Sequence, residues 1–336
     1  MRGGGVEDED GAVTDPSWHP AVLPDLSGRT AVVTGANSGL GFHTAAGLVR
    51  AGAQVVLTAR DGAKGADALD RLVNQVPGAQ ARVAVLDLAD LGSVRAFARD
   101  LPGDRLDLLV NNAGVMATPR RTTADGFELQ LGTNHLGHFA LTGLLLPRLL
   151  AGSMPAGPTP DGPARVVTVS SALHRRGRLD RDDLMLERGY TPYRAYGQSK
   201  LANLLFALEL QRRADAAGAP LASLAAHPGY AATNLQTTGP RMAGSRVREQ
   251  VSRLMNAVLA QPAEHGAWPT LRAATDPAAT GAEYFGPGGP GEMRGAPVRV
   301  GMSAQAADPD DAQWLWNRSQ ELTGVRYDAL HAPPAV

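Results

Sequence analysis

The sequence predicts an α/β fold, with a doubly wound, mostly parallel sheet of seven strands flanked by helices. Between Thr30 and Val169, short β-rich runs alternate with longer segments of helical spacing. The strand runs are apolar on successive residues, which indicates burial on both faces, as in a parallel sheet. Right-handed crossovers between parallel strands then put helices on both sides of the sheet. We expect one domain over residues 25–325.

The predicted elements follow one another in a regular order. Strands are expected at residues 30–35, 53–60, 81–88, 106–114, 165–171, 221–229 and 281–286. Helices are expected at residues 40–52, 66–76, 91–101, 126–150, 194–214 and 309–324. Gly52 and Gly324 mark helix ends, because glycine readily ends a helix. Residues 151–164 are rich in proline and glycine and are predicted to form a surface loop.

The composition limits the classes of function. The chain has 336 residues, 43% hydrophobic and 19% charged, as is ordinary for a soluble globular protein. Its net charge of −1 gives no electrostatic reason to expect nucleic acid or an anionic membrane as partner. It has no cysteine for a disulfide, a thiolate metal site or a nucleophile, which fits the cytoplasm as predicted location. No run approaches ~18 apolar residues, so no membrane span is predicted.

The two ends of the chain are expected to lie outside the domain. The N-terminal "MRGGGVEDEDG" lacks the apolar core of a secretory signal. Its glycines and acidic residues predict a disordered tail over residues 1–24. Residues 326–336 are expected to form a flexible C-terminal tail.

A glycine-rich turn joins the first predicted strand to the first helix. The segment "TGANSGLG" (34–41) holds Gly35, Gly39 and Gly41. Glycine allows a sharp turn and a close approach of the backbone to a pyrophosphate, and the following helix N-terminus offers free N–H groups to the anion. This context favours a Rossmann-type dinucleotide site, and a purely structural turn is the alternative.

The end of the second strand bears on which dinucleotide is bound. An acidic residue there would bind an adenosine ribose and repel a 2′-phosphate, but Ala59 occupies the position. Arg60 can pair with a 2′-phosphate, and Lys64 can assist it. NADP(H) is therefore favoured over NAD(H). Asp61 would cancel part of this positive field, and Arg60 as a solvated loop charge is the alternative.

Three further stretches complete a recognisable set. "NNAG" (111–114) ends the fourth strand, "VSS" (169–171) ends the fifth, and "YGQSK" (196–200) lies on the following helix. With "TGANSGLG", they resemble the classical short-chain dehydrogenase/reductase family from about Asp25 to Val325. "TNHLGHF" (133–139), "SSALH" (170–174), "AYGQSKLANLLFA" (195–207) and "HPGYAATNL" (227–235) resemble its retinol-dehydrogenase-like, WW-domain-oxidoreductase-like and protochlorophyllide-reductase-like branch.

The resemblance implies roles for individual residues. The catalytic set it implies is Asn134, Ser171, Tyr196 and Lys200, with Ser170 as an alternative to Ser171. The implied cofactor contacts, besides Arg60, Tyr196 and Lys200, are Gly35, Asn37, Ser38, Gly39, Leu40, Asp87, Leu88, Asn112, Ala113, Gly114, Pro228, Gly229 and Thr233. No metal site is predicted, because His135, His138 and His174 have no convincing further ligand.

The spacing of Tyr196 and Lys200 has a physical reason. Positions i and i+4 lie on one face of a helix, and a nearby ammonium is expected to lower the pKa of the phenol. Ser171 is not in a GxSxG elbow, so we expect it to hydrogen-bond a substrate oxygen. The resemblance alone implies that Asn134 holds a water linked to Lys200.

Together these observations predict an NADP(H)-dependent oxidoreductase that interconverts a carbonyl and an alcohol on a lipophilic small molecule. The segment 245–260 places apolar side chains on one helical face, which either core packing or a substrate lid over about residues 234–275 explains. A cofactor-binding sensor and a C=C reductase of the same fold are the alternatives. Protochlorophyllide reduction is discounted, because relatives with that activity use a cysteine. Homodimer and monomer both stay open.

Overall fold

The computed structural model describes residues 18–156, 159–231 and 261–330. Nine strands in these ranges form one sheet. They are β1 (Thr30–Val33), β2 (Gln54–Ala59), β3 (Ala81–Val85), β4 (Leu108–Asn111), β5 (Ser153–Ala156), β6 (Thr159–Val169), β7 (Leu221–Ala226), β8 (Tyr284–Pro287) and β9 (Pro297–Arg299).

The sheet has the order β3-β2-β1-β4-β6-β7-β8-β9, with β5 paired to β6. The seven strands from β3 to β8 in this order are parallel, which confirms the predicted doubly wound sheet. Strands β5 and β9 are antiparallel additions. The surface loop predicted for residues 151–164 is therefore wrong in part. Met154 is buried and the Ser153 N–H donates to Asp107 Oδ1 over 2.8 Å, so this segment pairs with β6 despite its composition.

Helices cover both faces of the sheet in the described ranges. They are α1 (Gly39–Arg50), α2 (Gly62–Gln75), α3 (Leu91–Asp100), α4 (Leu129–Leu131), α5 (Gly137–Leu150), α6 (Pro192–Ala217), α7 (Ala263–Gly266), α8 (Trp268–Thr275) and α9 (Pro309–Thr323). A π-helical segment, Gly132–Leu136, joins α4 to α5. Gly324 caps α9 in the left-handed conformation, as predicted.

Alternate residues of the central strands enter two separate cores. Val32 and Leu109 pack with α3, α5, α6 and α9, around Phe139 and Trp316. The neighbouring Val33 packs on the other face with α1, α2 and α8. Both faces of β1 and β4 are thus buried, which explains why their sequences are continuously apolar.

The folded part extends beyond both predicted domain boundaries. Residues 18–24 were assigned to the N-terminal tail, but Trp18 and Leu23 pack against the core around α1 and α8. At the other end, Tyr327 is buried and its hydroxyl donates to the Phe139 carbonyl over 2.7 Å. Single buried aromatic and aliphatic residues form no periodic pattern, so the sequence did not show that these end segments pack on the domain.

The predicted lid lies only partly within the described residues. Its N-terminal portion, with the amphipathic segment 245–260, lies outside the described residues. Residues 263–275 form α7 and α8, and α8 packs its Leu271 and Ala274 into the core beneath the sheet. This last portion of the predicted lid is therefore a core element.

Two buried histidines make the stability of the fold depend on pH. Burial lowers the pKa of His135 to about 3 and that of His138 to about 4. Below about pH 6.5 the unfolded chain takes up protons that the folded chain does not, so stability is full above that pH and falls as the pH drops towards 4. Going from pH 7.5 to 5.5 costs about 1 kcal/mol per histidine.

We predict that His135→Gln flattens this pH dependence. Glutamine retains a polar group for Ser319, whose hydroxyl lies 2.8 Å from His135 Nε2, and it does not titrate. Thermal denaturation at pH 7.5 and 5.5 should give a smaller drop in Tm for the variant than for the wild type. Equal drops would contradict the assignment.

Candidate active site

A cleft of about 1060 Å³ opens at the carboxyl ends of β1, β4, β6 and β7. In doubly wound sheets ligands bind at this edge, where the strand order reverses. Of the predicted site residues, the following line the cleft: Gly35, Asn37, Ser38, Gly39, Leu40, Arg60, Asp87, Leu88, Asn112, Ala113, Gly114, Ser171, Tyr196, Lys200, Pro228 and Gly229. Asn134 is buried behind the cleft wall. Thr233 lies outside the described residues.

Close packing explains two glycines of the turn between β1 and α1. Gly35 has φ +64°, and a Cβ there would come within 2.9 Å of the Ala113 Cβ. A Cβ on Gly41 would lie 2.5 Å from Asn112 Nδ2 and 2.6 Å from the Gly35 carbonyl oxygen. Any side chain at Gly41 would therefore push the turn away from the end of β4.

The start of α1 is left open for an anion. Its N-cap residue Ser38 makes no side-chain capping hydrogen bond, whereas Asp61, Asp90 and Thr191 cap α2, α3 and α6. No side chain therefore caps the first N–H groups of α1, and the residues at this helix end line the cleft. Free N–H groups at a helix N-terminus are what a phosphate requires.

Thr34, which the sequence analysis did not single out, holds the floor of the cleft. Its hydroxyl oxygen accepts from the N–H groups of Asn112 and Ala113, both over 2.9 Å, and its carbonyl accepts from Asn112 Nδ2 over 2.7 Å. His138 Nε2 lies 2.9 Å from the same hydroxyl, and His138 Nδ1 lies 3.0 Å from the Asn134 carbonyl. The buried histidine thus connects the cleft floor to Asn134.

Arg60 lines the cleft just beyond the carboxyl end of β2. Arg60 is exposed and makes no ion pair within the described ranges. Asp61 caps α2 by accepting from the N–H groups of Ala63 and Lys64, and Lys64 Nζ lies 4.0 Å from its other oxygen. Because Asp61 is engaged with the helix, it does not pair with Arg60. Arg71 donates to the Asn37 carbonyl over 2.8 Å and braces the glycine turn.

Tyr196 and Lys200 lie one turn apart on α6, at the opposite end of the cleft. Lys200 Nζ donates to the Val169 carbonyl over 3.0 Å and lies 5.8 Å from the centre of the Tyr196 ring. Ser171 follows β6, and its side chain lies near enough to the Tyr196 hydroxyl to lower the pKa of the phenol. The three groups predicted to act together therefore lie at the same end of the cleft.

The two adjacent serines have different environments. The Ser170 hydroxyl is buried and donates to the Lys200 carbonyl over 2.7 Å. Ser171 caps the 3₁₀ turn Ala172–Arg176 and faces Tyr196. Ser171 is thus the serine whose hydroxyl meets the phenol, and Ser170 anchors α6.

The pKa of Tyr196 differs from the expectation. Burial raises it to about 12, and the hydrogen bond with Ser171 only partly opposes that rise. Burial also lowers the pKa of Lys200 to about 8. The expected lowering of the phenol pKa by the ammonium is therefore wrong for the protein alone, because desolvation of both groups outweighs their proximity.

Asn134 is held in the π-helical segment. Its Oδ1 accepts from the Val115 N–H over 2.8 Å, and its Nδ2 donates to the Val115 carbonyl over 3.0 Å and to Ser199 Oγ over 2.9 Å. A Cβ placed on Gly114 would lie 3.0 Å from Asn134 Oδ1 and 3.7 Å from Lys200 Nζ. The two side chains therefore border a common space above Gly114. Ser199 is a partner that the motif pattern did not reveal.

Comparison with known proteins agrees with this geometry. The model of the family described as short chain dehydrogenase matches residues 29–242. The chain belongs to the short-chain dehydrogenase family. The resemblance inferred from the motifs is confirmed, and the protein is an oxidoreductase. Enzymes of this family use a nicotinamide dinucleotide, which the open start of α1 and the glycine turn fit.

Relatives place this dehydrogenase in the retinol-dehydrogenase-like branch. Mouse polyprenol dehydrogenase (Mus musculus) is 43% identical over 313 residues, covering 92% of this chain and 88% of the relative. Human retinol dehydrogenase 12 (Homo sapiens) is 38% identical over 305 residues, covering 90% of this chain and 89% of the relative.

Solved structures show the same architecture. An uncharacterized protein from Mycobacterium Paratuberculosis is 44% identical, covers 92% of this chain and 98% of its own, and superposes with a TM-score of 0.74. RhlG from Pseudomonas aeruginosa, in an NADP active-site complex, is 25% identical with a TM-score of 0.55. The match covers 80% of this chain and 96% of RhlG. In the described part of this dehydrogenase, every helix is too short or too polar to cross a membrane.

We predict that Gly41→Ala lowers dinucleotide affinity at least tenfold, because its Cβ would displace the turn from Asn112 and Gly35. Gly301→Ala is the matched control, since nothing lies within 4 Å of a Cβ there. Fluorescence titration of both variants measures the effect. An unchanged affinity in Gly41→Ala would show that the turn tolerates the displacement.

Proposed function

We propose that this dehydrogenase is an NADP(H)-dependent enzyme that interconverts a carbonyl and an alcohol on a lipophilic small molecule. The convergence of Tyr196, Lys200 and Ser171 on the cleft carries the proposal. A site that only bound a dinucleotide would need the glycine turn and not these three groups.

The proposed chemistry divides among these side chains. Reduction of a carbonyl adds a hydride to carbon and a proton to oxygen, and the bound nicotinamide supplies the hydride. The Tyr196 hydroxyl, protonated at neutral pH because of its raised pKa, donates the proton to the oxygen. Ser171 hydrogen-bonds the same oxygen and orients it. Lys200 stabilises the phenolate that proton donation leaves.

The roles reverse in the direction of alcohol oxidation. Tyr196 then accepts the hydroxyl proton as a general base, and its phenolate is needed at the start. Burial disfavours that phenolate in the protein alone. Asn134 Oδ1 and Lys200 Nζ border the space above Gly114, where a water would connect Lys200 to Asn134.

The preference for NADP(H) rests on Arg60. The side chain is exposed beside the cleft, and Asp61 is committed to capping α2. An unpaired guanidinium at this end of the cleft favours a 2′-phosphate through charge-assisted hydrogen bonds.

The lipophilic substrate rests on the wall of the cleft around Tyr196. Met116, Leu173, Tyr193 and Met293 line this part, and Tyr193 and Met293 are exposed at the surface. The names of the relatives refer to polyprenol and retinol, both long apolar alcohols. Apolar side chains beside the polar Ser171–Tyr196 pair suit such a substrate.

We predict that Tyr196→Phe lowers kcat at least a hundredfold, since a positioned general acid contributes ~10²–10⁴-fold, while the affinity for NADPH stays within threefold of the wild type. Steady-state kinetics on an active retinoid or polyprenoid aldehyde measures it. Near-normal turnover would refute Tyr196 as the proton donor.

A wild type that binds NADPH and turns over no carbonyl would favour the cofactor-binding sensor, and a product with a saturated C–C bond would favour the C=C reductase.

We predict that Arg60→Ala weakens NADPH binding about tenfold or more and leaves NADH binding unchanged, because a charged hydrogen bond is worth ~1.5–3 kcal/mol. Arg99→Ala, an exposed arginine paired with Asp100 on α3, is the control. Titration of each protein with NADPH and with NADH gives the ratio of the two dissociation constants. Tighter binding of NADH than NADPH by the wild type would overturn the preference.

A further inference from the structure

The carboxylate of Glu292 bridges two walls of the cleft. Glu292 ends the 3₁₀ turn Pro290–Glu292 between β8 and β9 and lines the cleft. Its Oε1 accepts from Arg175 Nη2 over 2.8 Å. Its Oε2 lies 2.9 Å from His227 Nε2, a close contact that does not meet hydrogen-bond geometry. Within the described ranges, neither Glu292 Oε2 nor His227 Nε2 has a hydrogen-bond partner.

One end of this bridge reaches the serine wall. Arg175 belongs to the 3₁₀ turn Ala172–Arg176, which Ser171 caps by accepting from the Leu173 N–H over 3.2 Å. A displacement of Arg175 therefore acts on the short turn that begins at Ser171. Ser171 in turn meets the hydroxyl of Tyr196.

The other end reaches the segment that follows β7, the strand paired with β6. His227 is fully buried, and its Nδ1 accepts from the Gly229 N–H over 3.2 Å. The other ring nitrogen, Nε2, is the one that lies beside Glu292. Pro228 and Gly229, which follow His227, line the cleft.

The backbone around Glu292 is shaped to make this contact. Glu292 has φ +55°, in the left-handed region that a glutamate rarely adopts. The Tyr230 N–H donates to the Met293 carbonyl over 2.9 Å, and a Cβ on Gly229 would come within 2.4 Å of that same oxygen. A strained residue held between two walls of a cleft is a recurrent mark of a functional constraint.

We propose that Glu292 is a positioning residue, which sets how the Ser171 turn and the His227–Gly229 segment lie relative to each other just beyond the paired ends of β6 and β7. The proposal rests on the proposed function, in which Ser171 and Tyr196 act at this end of the cleft. His227 and, to a smaller extent, Arg175 lower the pKa of Glu292, so its carboxylate stays charged at neutral pH.

Stability alone does not account for the bridge. The Arg175 side chain is 42% exposed and that of Glu292 25% exposed, and ion pairs so open to water contribute little to folding. The bridge joins two segments that are distant in sequence and that follow the neighbouring strands β6 and β7.

The test compares Glu292→Gln, which removes the charge and keeps the shape, with Glu292→Asp, which keeps the charge and shortens the reach. Glu321→Gln is the matched control, because Glu321 pairs with Arg318 over 2.8 Å on the exposed face of α9. Hydrogen exchange on the protein without cofactor is the first measurement. We expect the N–H groups of Gly229 and Tyr230 to exchange at least fivefold faster in Glu292→Gln, with α9 unchanged.

Kinetics with NADPH is the second measurement. We expect Glu292→Gln to lower kcat at least tenfold while the Kd for NADPH stays within threefold, because the glycine turn and Arg60 are untouched. The kcat of Glu292→Asp should lie between those of Glu292→Gln and the wild type. Arg175→Gln should lower kcat at least as much, because it also removes the 2.8 Å hydrogen bond from Arg175 Nη2 to the Gly301 carbonyl, and adding Glu292→Gln to it should change kcat little further.

Two results would overturn the proposal. One is wild-type exchange at Gly229 and Tyr230 together with wild-type kcat in Glu292→Gln. The other is faster exchange throughout the chain with a fall in Tm, which would assign Glu292 a general role in stability. If the wild type neither binds NADPH nor turns over a carbonyl, the proposed function fails, and the exchange measurement alone decides whether Glu292 couples the two walls.

Discussion

The hydrogen bond from Lys200 to the Val169 carbonyl is the interaction on which the site depends. It joins α6 to the last residue of β6, in a buried place where an ammonium has little water. Asn203 donates to the same carbonyl over 3.0 Å, and Ser170 donates to the Lys200 carbonyl. These bonds hold the helix in register with the strand, so that Tyr196 comes to rest against Ser171. A buried polar group without such partners would be costly, which makes this register strongly preferred.

A second buried network supports the other half of the cleft. Thr34, at the end of β1, receives the N–H groups of Asn112 and Ala113 and lies against His138. His138 continues to the Asn134 backbone, and the Asn134 side chain continues to Ser199 on α6. The two halves of the cleft are therefore connected through buried side chains. Such networks fix one arrangement, because each member is satisfied only in that arrangement.

Sequence patterns predicted the parts of the structure that arise from local physics. The seven parallel strands, the glycine turn and the end of α9 at Gly324 follow from runs of apolar residues and from backbone freedom. Patterns failed where a few side chains decide the outcome. Buried Met154 and the Ser153–Asp107 hydrogen bond stabilise β5 where a loop was expected. Tyr327 packs in the core where a tail was expected, and Leu271 packs beneath the sheet where part of a lid was expected.

The identity of the motif residues, and hence the family and the kind of chemistry, was determined by the sequence itself. Tyr196 and Lys200 share a helix face because of their spacing, whatever surrounds them. The tertiary structure alone decided how those groups ionise, which serine meets the phenol and which residues far along the chain support them. The reason is that desolvation and hydrogen bonding depend on neighbours brought together only by folding. Burial raises the pKa of Tyr196 and lowers that of Lys200, and the Glu292 contact joins residues that no local pattern relates.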